Sequence, residues 1–154
     1  MIRIITTILI FLQIAFSQID SSSFITYKWL GENAETTVKT YEVELHIPKN
    51  FEQKNWYYGE GVITKLLFSD SCLVTLHFGF TMKIPLLDEP EYLIKDKGEN
   101  ENYTYRNGIN KETKLFWEEF NFKNFPINAA ISNIPKNNIK LFENILKSIK
   151  ISEM

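Results

Sequence analysis

The chain has 154 residues, of which 44% are apolar, 14% aromatic and 23% charged, and its formal net charge is -2. This length and composition are those of one globular domain and argue against a two-domain enzyme. A nearly neutral chain lacks the basic surface with which proteins hold nucleic acid, so we expect no nucleic-acid partner.

The first 17 residues have the pattern of a secretory signal peptide. A start made basic by Arg3 is followed by the apolar run from Ile4 to Phe16, and the small residues Ala15 and Ser17 occupy the positions that a signal peptidase reads. An uncleaved anchor is the alternative, but the run is shorter than the roughly 20 apolar residues that cross a bilayer. The pattern predicts cleavage after Ser17 and an exported protein, periplasmic or extracellular, with no transmembrane segment after cleavage.

Residues 18–23 are a polar leader, and residues 24–154 are expected to form a single domain. Phe24 to Leu30 can form a first strand, and apolar and polar residues alternate from Tyr41 to Ile47, as in a strand with one buried face. Val62 to Phe68 and Cys72 to Phe80 predict a β-hairpin. Apolar residues on both faces of these two strands place them at the centre of a sheet that is covered on both sides.

The next segments lack this clear alternation. The acidic stretch from Asp88 to Asn102 is typical of a solvated loop. Asn107-Gly108 predicts a two-residue hairpin turn, which places Tyr103 and Tyr105 on a polar face, although a four-residue loop would change this register.

A final strand pair and a helix are predicted at the carboxyl end of the chain. Leu115 to Phe122 and Ile127 to Ile134 form the pair, and an amphipathic helix follows Pro135. The apolar stripe of this helix, which is expected to face the core, consists of Ile139, Phe142, Ile145, Leu146 and Ile149.

The residue inventory offers no catalytic, cofactor or metal site. Cys72 falls in a strand predicted to be buried, where a thiol is inert. His46 and His77 could form a metal site with Glu42 or Glu44 only if their strands are neighbours. Two solvated histidines are the simpler interpretation. Glu118 and Glu119 are consecutive, so on a strand they point to opposite faces and cannot act as a pair.

The strongest candidates for contact with a partner are aromatic. Trp56, Tyr57 and Tyr58 precede Gly59 in a stretch that we interpret as a loop, and Tyr103 and Tyr105 are the other two candidates. The alternative is that the first three residues cap the open edge of a sheet.

Two motifs resemble the PsbP-like superfamily, which includes an extrinsic subunit of photosystem II and a Ran-binding nuclear import factor. They are the strand from Tyr41 to Ile47 running into Pro48-Lys49-Asn50-Phe51, and the closing helix from Phe142 to Ile149. The resemblance implies an α+β fold, in which helices cover both faces of a central antiparallel sheet as an α/β/α sandwich, and a non-catalytic binding or assembly role. It carries over no ligand residues, because the matching positions are core and turn residues.

The leading functional hypothesis is an exported, non-enzymatic binding or assembly module that contacts a protein or an envelope component. One alternative is a carrier of a small molecule or lipid, with an apolar cavity between the sheet and the terminal helix. The other is a hydrolase that uses His46 or His77, which requires a second ring or a carboxylate within hydrogen-bonding distance in a pocket.

Overall fold

A computed structural model describes residues 22–30, 37–59, 61–79 and 90–154 of the chain. The predicted signal peptide lies outside these residues, and the first strand begins at Ser22, within the predicted polar leader. The elements of the described part are β1 (Ser22–Leu30), β2 (Thr37–His46), β3 (Phe51–Tyr58), β4 (Gly61–Phe68), β5 (Leu73–Phe78), β6 (Tyr92–Glu99), β7 (Tyr103–Asn110), β8 (Phe116–Phe122), β9 (Ile127–Ile134), a 3-10 helix (Lys136–Asn138), α1 (Ile139–Lys147) and β10 (Lys150–Glu153).

These strands form two antiparallel sheets. The small sheet has the order β1-β2-β10, and the large sheet has the order β3-β4-β5-β9-β8-β7-β6. Strands β3 and β6 are therefore the two edges of the large sheet, and β5 and β9 lie near its centre. No helix in the described ranges is long and apolar enough to cross a membrane.

The core lies between the large sheet on one side and the small sheet with α1 on the other. Alternation along β2 puts Val43 and Leu45 in this core, where both are fully buried. The ring of Tyr27 in β1 stacks on that of Phe78 in β5 at a centroid distance of 5.1 Å, which joins the two sheets. Each fully buried aliphatic side chain contributes roughly 1.5–3 kcal/mol, so this packing is the main source of stability.

Helix α1 covers the remaining part of the same face. It buries Phe142, Ile145 and Leu146, and the ring of Phe142 meets Phe68 of β4 edge-on at 5.3 Å. The helix ends at Ser148, whose hydroxyl donates to the carbonyl of Ile145 and accepts the backbone N–H of His46 in β2. The chain then continues as β10, which pairs with β2.

The predicted α+β fold, an α/β/α sandwich, is wrong. The described part of the chain is mostly β, with sheets of three and seven strands and one short helical segment of 12 residues. The second layer over the core is largely a sheet instead of a set of helices. A strand with one apolar face covers a hydrophobic surface as well as an amphipathic helix does. The need to cover the sheet therefore did not determine whether the second layer is made of helices or of strands.

Several predicted elements are confirmed by the strands. The hairpin of β4 and β5 and the pair of β8 and β9 form as expected, and β1 and β2 occupy the two earlier predicted strands. The end of the predicted hairpin at Phe80 lies outside the described residues. Strand β5 buries residues on both faces, including Leu76 and His77.

The acidic segment and the Asn107-Gly108 turn were predicted wrongly. Most of the segment from Asp88 is strand β6, whose two faces are both exposed because it is the edge of the sheet; Asp88 itself lies outside the described residues. Asn107 and Gly108 lie within the continuous strand β7. A Cβ atom at Gly108 would overlap the backbone carbonyl of Leu93 in β6. The glycine is therefore needed because two backbones approach closely at this position, and it does not form a turn.

Candidate binding surface on the edge strand β3

The aromatic run Trp56-Tyr57-Tyr58 lies at the end of β3, on an open edge of the large sheet. The prediction that these residues form a loop is therefore wrong, whereas the alternative of aromatic residues at a sheet edge matches their position. Residues 52–57 are all exposed. Because successive side chains of a strand point to opposite faces, Trp56 and Tyr58 share one face and Tyr57 lies on the other.

The faces of the large sheet differ in character. We call the face that packs on the small sheet and α1 the inner face, and the opposite one the outer face. Trp56 pairs with Ile63, and Ile63 pairs with His77, so Trp56 lies on the outer face. Tyr57 pairs with Val62, which pairs with Phe78 of the core.

Trp56 and Tyr57 are the accessible members of the run. Trp56 is 46% exposed and Tyr57 is 80% exposed. The ammonium group of Lys65 lies over the indole of Trp56 at 5.1 Å from the ring centroid, a cation–π contact that restrains the ring without covering it. We refer to Trp56 and Tyr57 together as the aromatic surface.

Tyr58 has a different environment, since it is half-buried against β5. Its ring stacks on His77 at a centroid distance of 5.7 Å, and its hydroxyl is hydrogen-bonded to Nε2 of His77. Burial raises the pKa of Tyr58 and lowers that of His77. A Cβ atom at Gly61 would lie 2.6 Å from the Tyr58 ring, so this glycine leaves the space that the ring occupies. Tyr58 thus ties β3 to the sheet centre and orients the aromatic surface.

Tyr103 and Tyr105, the other two candidates, lie near the opposite edge of the same sheet. Both are in β7, and Tyr103 stacks on Phe120 of β8 at 4.1 Å. The hydroxyl of Tyr105 donates to Asp96 of β6 at 3.4 Å, and the negative charge of Asp96 raises the pKa of this tyrosine. The structure therefore divides the five predicted aromatic residues into two separate groups and does not bring them together.

The two histidines are not neighbours. His46 is exposed on β2, on the side away from the core, and lies 3.4 Å from Glu44. His77 is buried on the outer face of the large sheet. They thus occupy opposite exterior sides of the molecule, and within the described ranges no three or more His, Cys, Asp or Glu residues are placed to hold a metal ion.

Cys72 is fully buried immediately before β5, as expected. Burial raises the pKa of its thiol to about 12, which keeps the sulfur protonated and unreactive at neutral pH.

Glu118 and Glu119 point to opposite faces of β8, and both are buried. Glu119 lies on the outer face and accepts from Nε and Nη2 of Arg106, each at 2.6 Å from Oε2. Glu118 lies on the inner face beside α1 and accepts weakly from the side chain of Asn107 at 3.5 Å. Burial raises the pKa of Glu118 to about 7. Among the described residues its other oxygen, Oε2, has no hydrogen-bond partner.

A row of buried polar residues on the outer face was missed by the sequence reasoning. It consists of Thr75, His77, Glu119, Asn128 and Ser132. Their alternation with core residues along β5, β8 and β9 is visible in the sequence, but it normally indicates contact with solvent. Beyond this row, a shallow groove of about 430 Å³ runs along β6 and β7, lined on the outer face by Lys97, Glu99, Thr104 and Arg106.

Comparison of the chain with protein-family models, with curated proteins and with solved structures finds no match.

Proposed function

We propose that this protein is a non-catalytic binding module that contacts a protein or an envelope component through the aromatic surface of β3. The observation that carries the proposal is the exposure of two consecutive aromatic residues on one open sheet edge, Trp56 at 46% on its outer face and Tyr57 at 80% on its inner face. Large aromatic side chains that are exposed yet held in place are the usual anchors of protein interfaces, because they bury a large area at a low cost in side-chain entropy.

The surroundings support a preformed surface. Tyr58 fixes the end of β3 to β5, and Lys65 holds the indole from the neighbouring strand. A partner that covers Trp56 and Tyr57 therefore does not have to order a loop before binding, which lowers the entropic cost of association.

The hydrolase hypothesis required a second ring or a carboxylate within hydrogen-bonding distance of His46 or His77 in a pocket. Glu44 lies 3.4 Å from His46, but His46 is on the exposed side of β2. The group at His77 is the hydroxyl of Tyr58, a hydrogen bond that we interpret as structural. The carrier hypothesis has no observation in its favour, since the described side chains of α1 that face the large sheet are packed against it.

The proposal includes export to the periplasm or the extracellular space, on the support of the leader pattern in residues 1–17. Amino-terminal sequencing of the protein expressed in its full length tests this part. A mature chain that begins at Gln18 is expected, and an intact Met1 terminus in the secreted fraction would contradict it.

Crosslinking capture from envelope extracts tests the binding role. Trp56→Ala and Tyr57→Ala are expected to lose the captured partner while keeping the melting temperature of the parent protein. Ile94→Ala is the matched control, since Ile94 is 47% exposed but lies on the opposite edge strand β6. Equal capture by all three variants would overturn the proposal.

A further inference from the structure

Within the ranges that the structure describes, no strand pairs with the free edge of β3, so the backbone of this edge is available for pairing. Tyr58 pairs with Gly61 across a two-residue turn, and such flanking residues exchange hydrogen bonds. Hydrogen-bonded pairs alternate along an antiparallel ladder, so the even-numbered residues of β3 direct their peptide groups to β4. The odd-numbered residues from 51 to 57 therefore direct their N–H and C=O groups to the free edge.

The two edges of the large sheet differ in how well they are protected against the addition of another strand. The pairing of β6 with β7 contains an irregularity between Ile94 and Asp96, and such bulges obstruct the addition of another strand. The pairing of β3 with β4 is regular over its whole length. An added strand is thus accommodated at β3.

The charges on β3 select the strand that fits. Lys54 lies directly opposite Lys65 of β4, an arrangement of like charges that is unfavourable. Within β3 the ammonium of Lys54 is 3.0 Å from the carboxylate of Glu52, which lies on the same face. An acidic side chain placed across from Lys54 on its free side would offset the repulsion from Lys65.

A reversed copy of β3 has this property. We infer that two copies of the chain associate through antiparallel pairing of their β3 strands, with Gln53 on the two-fold axis. In this register Glu52 of each copy lies opposite Lys54 of the other, and the odd-numbered residues face each other as hydrogen bonding requires. A shift by one residue breaks that match of backbone groups, and a shift of the axis to Lys54 places two ammonium groups against each other.

The dimer is closed and leaves the aromatic surface beside the contact. Asn50 has a φ of 72°, which ends the strand, so the paired segment runs from residue 51 to residue 55. Trp56 and Tyr57 lie just beyond it. A two-fold contact of this kind uses the same edge on both copies and does not propagate into fibres. This inference goes beyond the proposed function and does not depend on it.

Charge exchange tests the register. Sedimentation of the full mature protein over the micromolar range is expected to show a monomer–dimer equilibrium. Glu52→Lys and Lys54→Glu should each weaken the dimer by about tenfold or more, because each creates two like-charge contacts. The double variant E52K/K54E should recover most of the parent affinity, since the exchanged charges are again complementary. Glu112→Lys, at an exposed turn, is the control and should have no effect.

Cysteine crosslinking locates the axis. Gln53→Cys faces its own copy and is expected to form an intermolecular disulfide on mild oxidation, whereas Asn55→Cys lies too far from its copy to do so. The native Cys72 is fully buried and does not compete.

The inference is overturned by a protein that is monomeric throughout the range, or by a double charge exchange that fails to restore a dimer lost in the single variants. If a monomeric protein still loses its captured partner in Trp56→Ala, the binding function stands without the dimer. If the dimer forms as described and Trp56→Ala still captures the partner, the dimer is supported and the proposed binding function is contradicted.

Discussion

Tyr58 and His77 join the edge of the large sheet to its centre. Their rings stack at 5.7 Å with an angle of 13° between the planes. Burial lowers the pKa of His77, which favours the neutral ring, and the Tyr58 hydroxyl shares a hydrogen bond with its Nε2 atom. The contact spans β4, where Gly61 leaves room for the tyrosine ring.

We expect Tyr58→Phe to destabilise the protein, because it leaves the buried Nε2 atom of His77 without its hydrogen-bond partner. Removal of one partner from a buried hydrogen bond costs about 1–2 kcal/mol, which urea unfolding measures. Tyr57→Phe is the control, since Tyr57 is 80% exposed and its hydroxyl is free to bond with water. Equal stability of the two variants would show that the hydrogen bond does not contribute.

Glu118 makes the stability of the protein depend on pH. Its pKa is raised to about 7, first by burial, with further effects from Asn107 and Lys147, which lower it, and Glu143 and Asp96, which raise it. A carboxyl whose pKa is higher in the folded state binds its proton more tightly there. The stability that it contributes is complete below the unfolded pKa of about 4.5 and is lost as the pH rises towards 7.

Glu118→Gln is expected to remove this dependence. At pH 4 the variant and the parent protein should be equally stable, and at pH 8 the variant should be more stable by about 1–3 kcal/mol, with allowance for screening by solvent. Comparison of the two proteins at each pH cancels the contribution of His77, whose lowered pKa has the opposite effect. Glu112→Gln, at an exposed position, should show no such difference. If the difference in unfolding free energy between Glu118→Gln and the parent protein does not increase from pH 4 to pH 8, Glu118 is not a buried, protonated carboxyl.

Strands that bury at least one face were predictable, and strands with two exposed faces were not. Alternation predicted β2 and β5 because their core residues recur at every second position. Strand β6 has no such pattern: Tyr92 is half-buried, and from Leu93 to Lys97 every residue is exposed. It is a strand because it pairs with β7, a contact that local sequence does not reveal.

The aromatic candidates were identified from the sequence, but the sequence did not show which of them are exposed and which are buried. Tyr57 and Tyr58 are neighbours of the same type, yet one is exposed and the other hydrogen-bonded to His77, 19 positions along the chain. Which one faces a partner is decided by the register of β3 with β4. The buried ion pair of Arg106 and Glu119 likewise depends on the pairing of β7 with β8. The sequence analysis placed a turn at Asn107-Gly108, inside β7, and so did not predict this pairing.

Gly108→Ala should detach the edge strand β6. A Cβ atom at this position would overlap the carbonyl oxygen of Leu93, which is backbone and cannot move aside as a side chain would. We expect a loss of about 2 kcal/mol or more in unfolding free energy, together with faster amide exchange in β6. Gly59→Asn is the control, because Gly59 has a φ of 40°, which asparagine tolerates, and no neighbouring atom would meet its Cβ. Exchange rates in β6 that match those of the parent protein would contradict this account of the glycine.

Arg106 neutralises a carboxylate that is entirely removed from solvent. The side chain of Glu119 is 0% exposed and that of Arg106 is 21% exposed. Arg106→Met should therefore cost about 3–5 kcal/mol in unfolding free energy, since it leaves a buried charge without its cation. The double variant R106M/E119M should recover much of this loss, because no charge then remains buried. The exposed pair of Lys123 and Glu99, at 2.9 Å, provides the comparison, and Lys123→Met should cost less than about 1 kcal/mol. Equal effects of the two single variants would mean that the protein around Glu119 stabilises its charge without the guanidinium group.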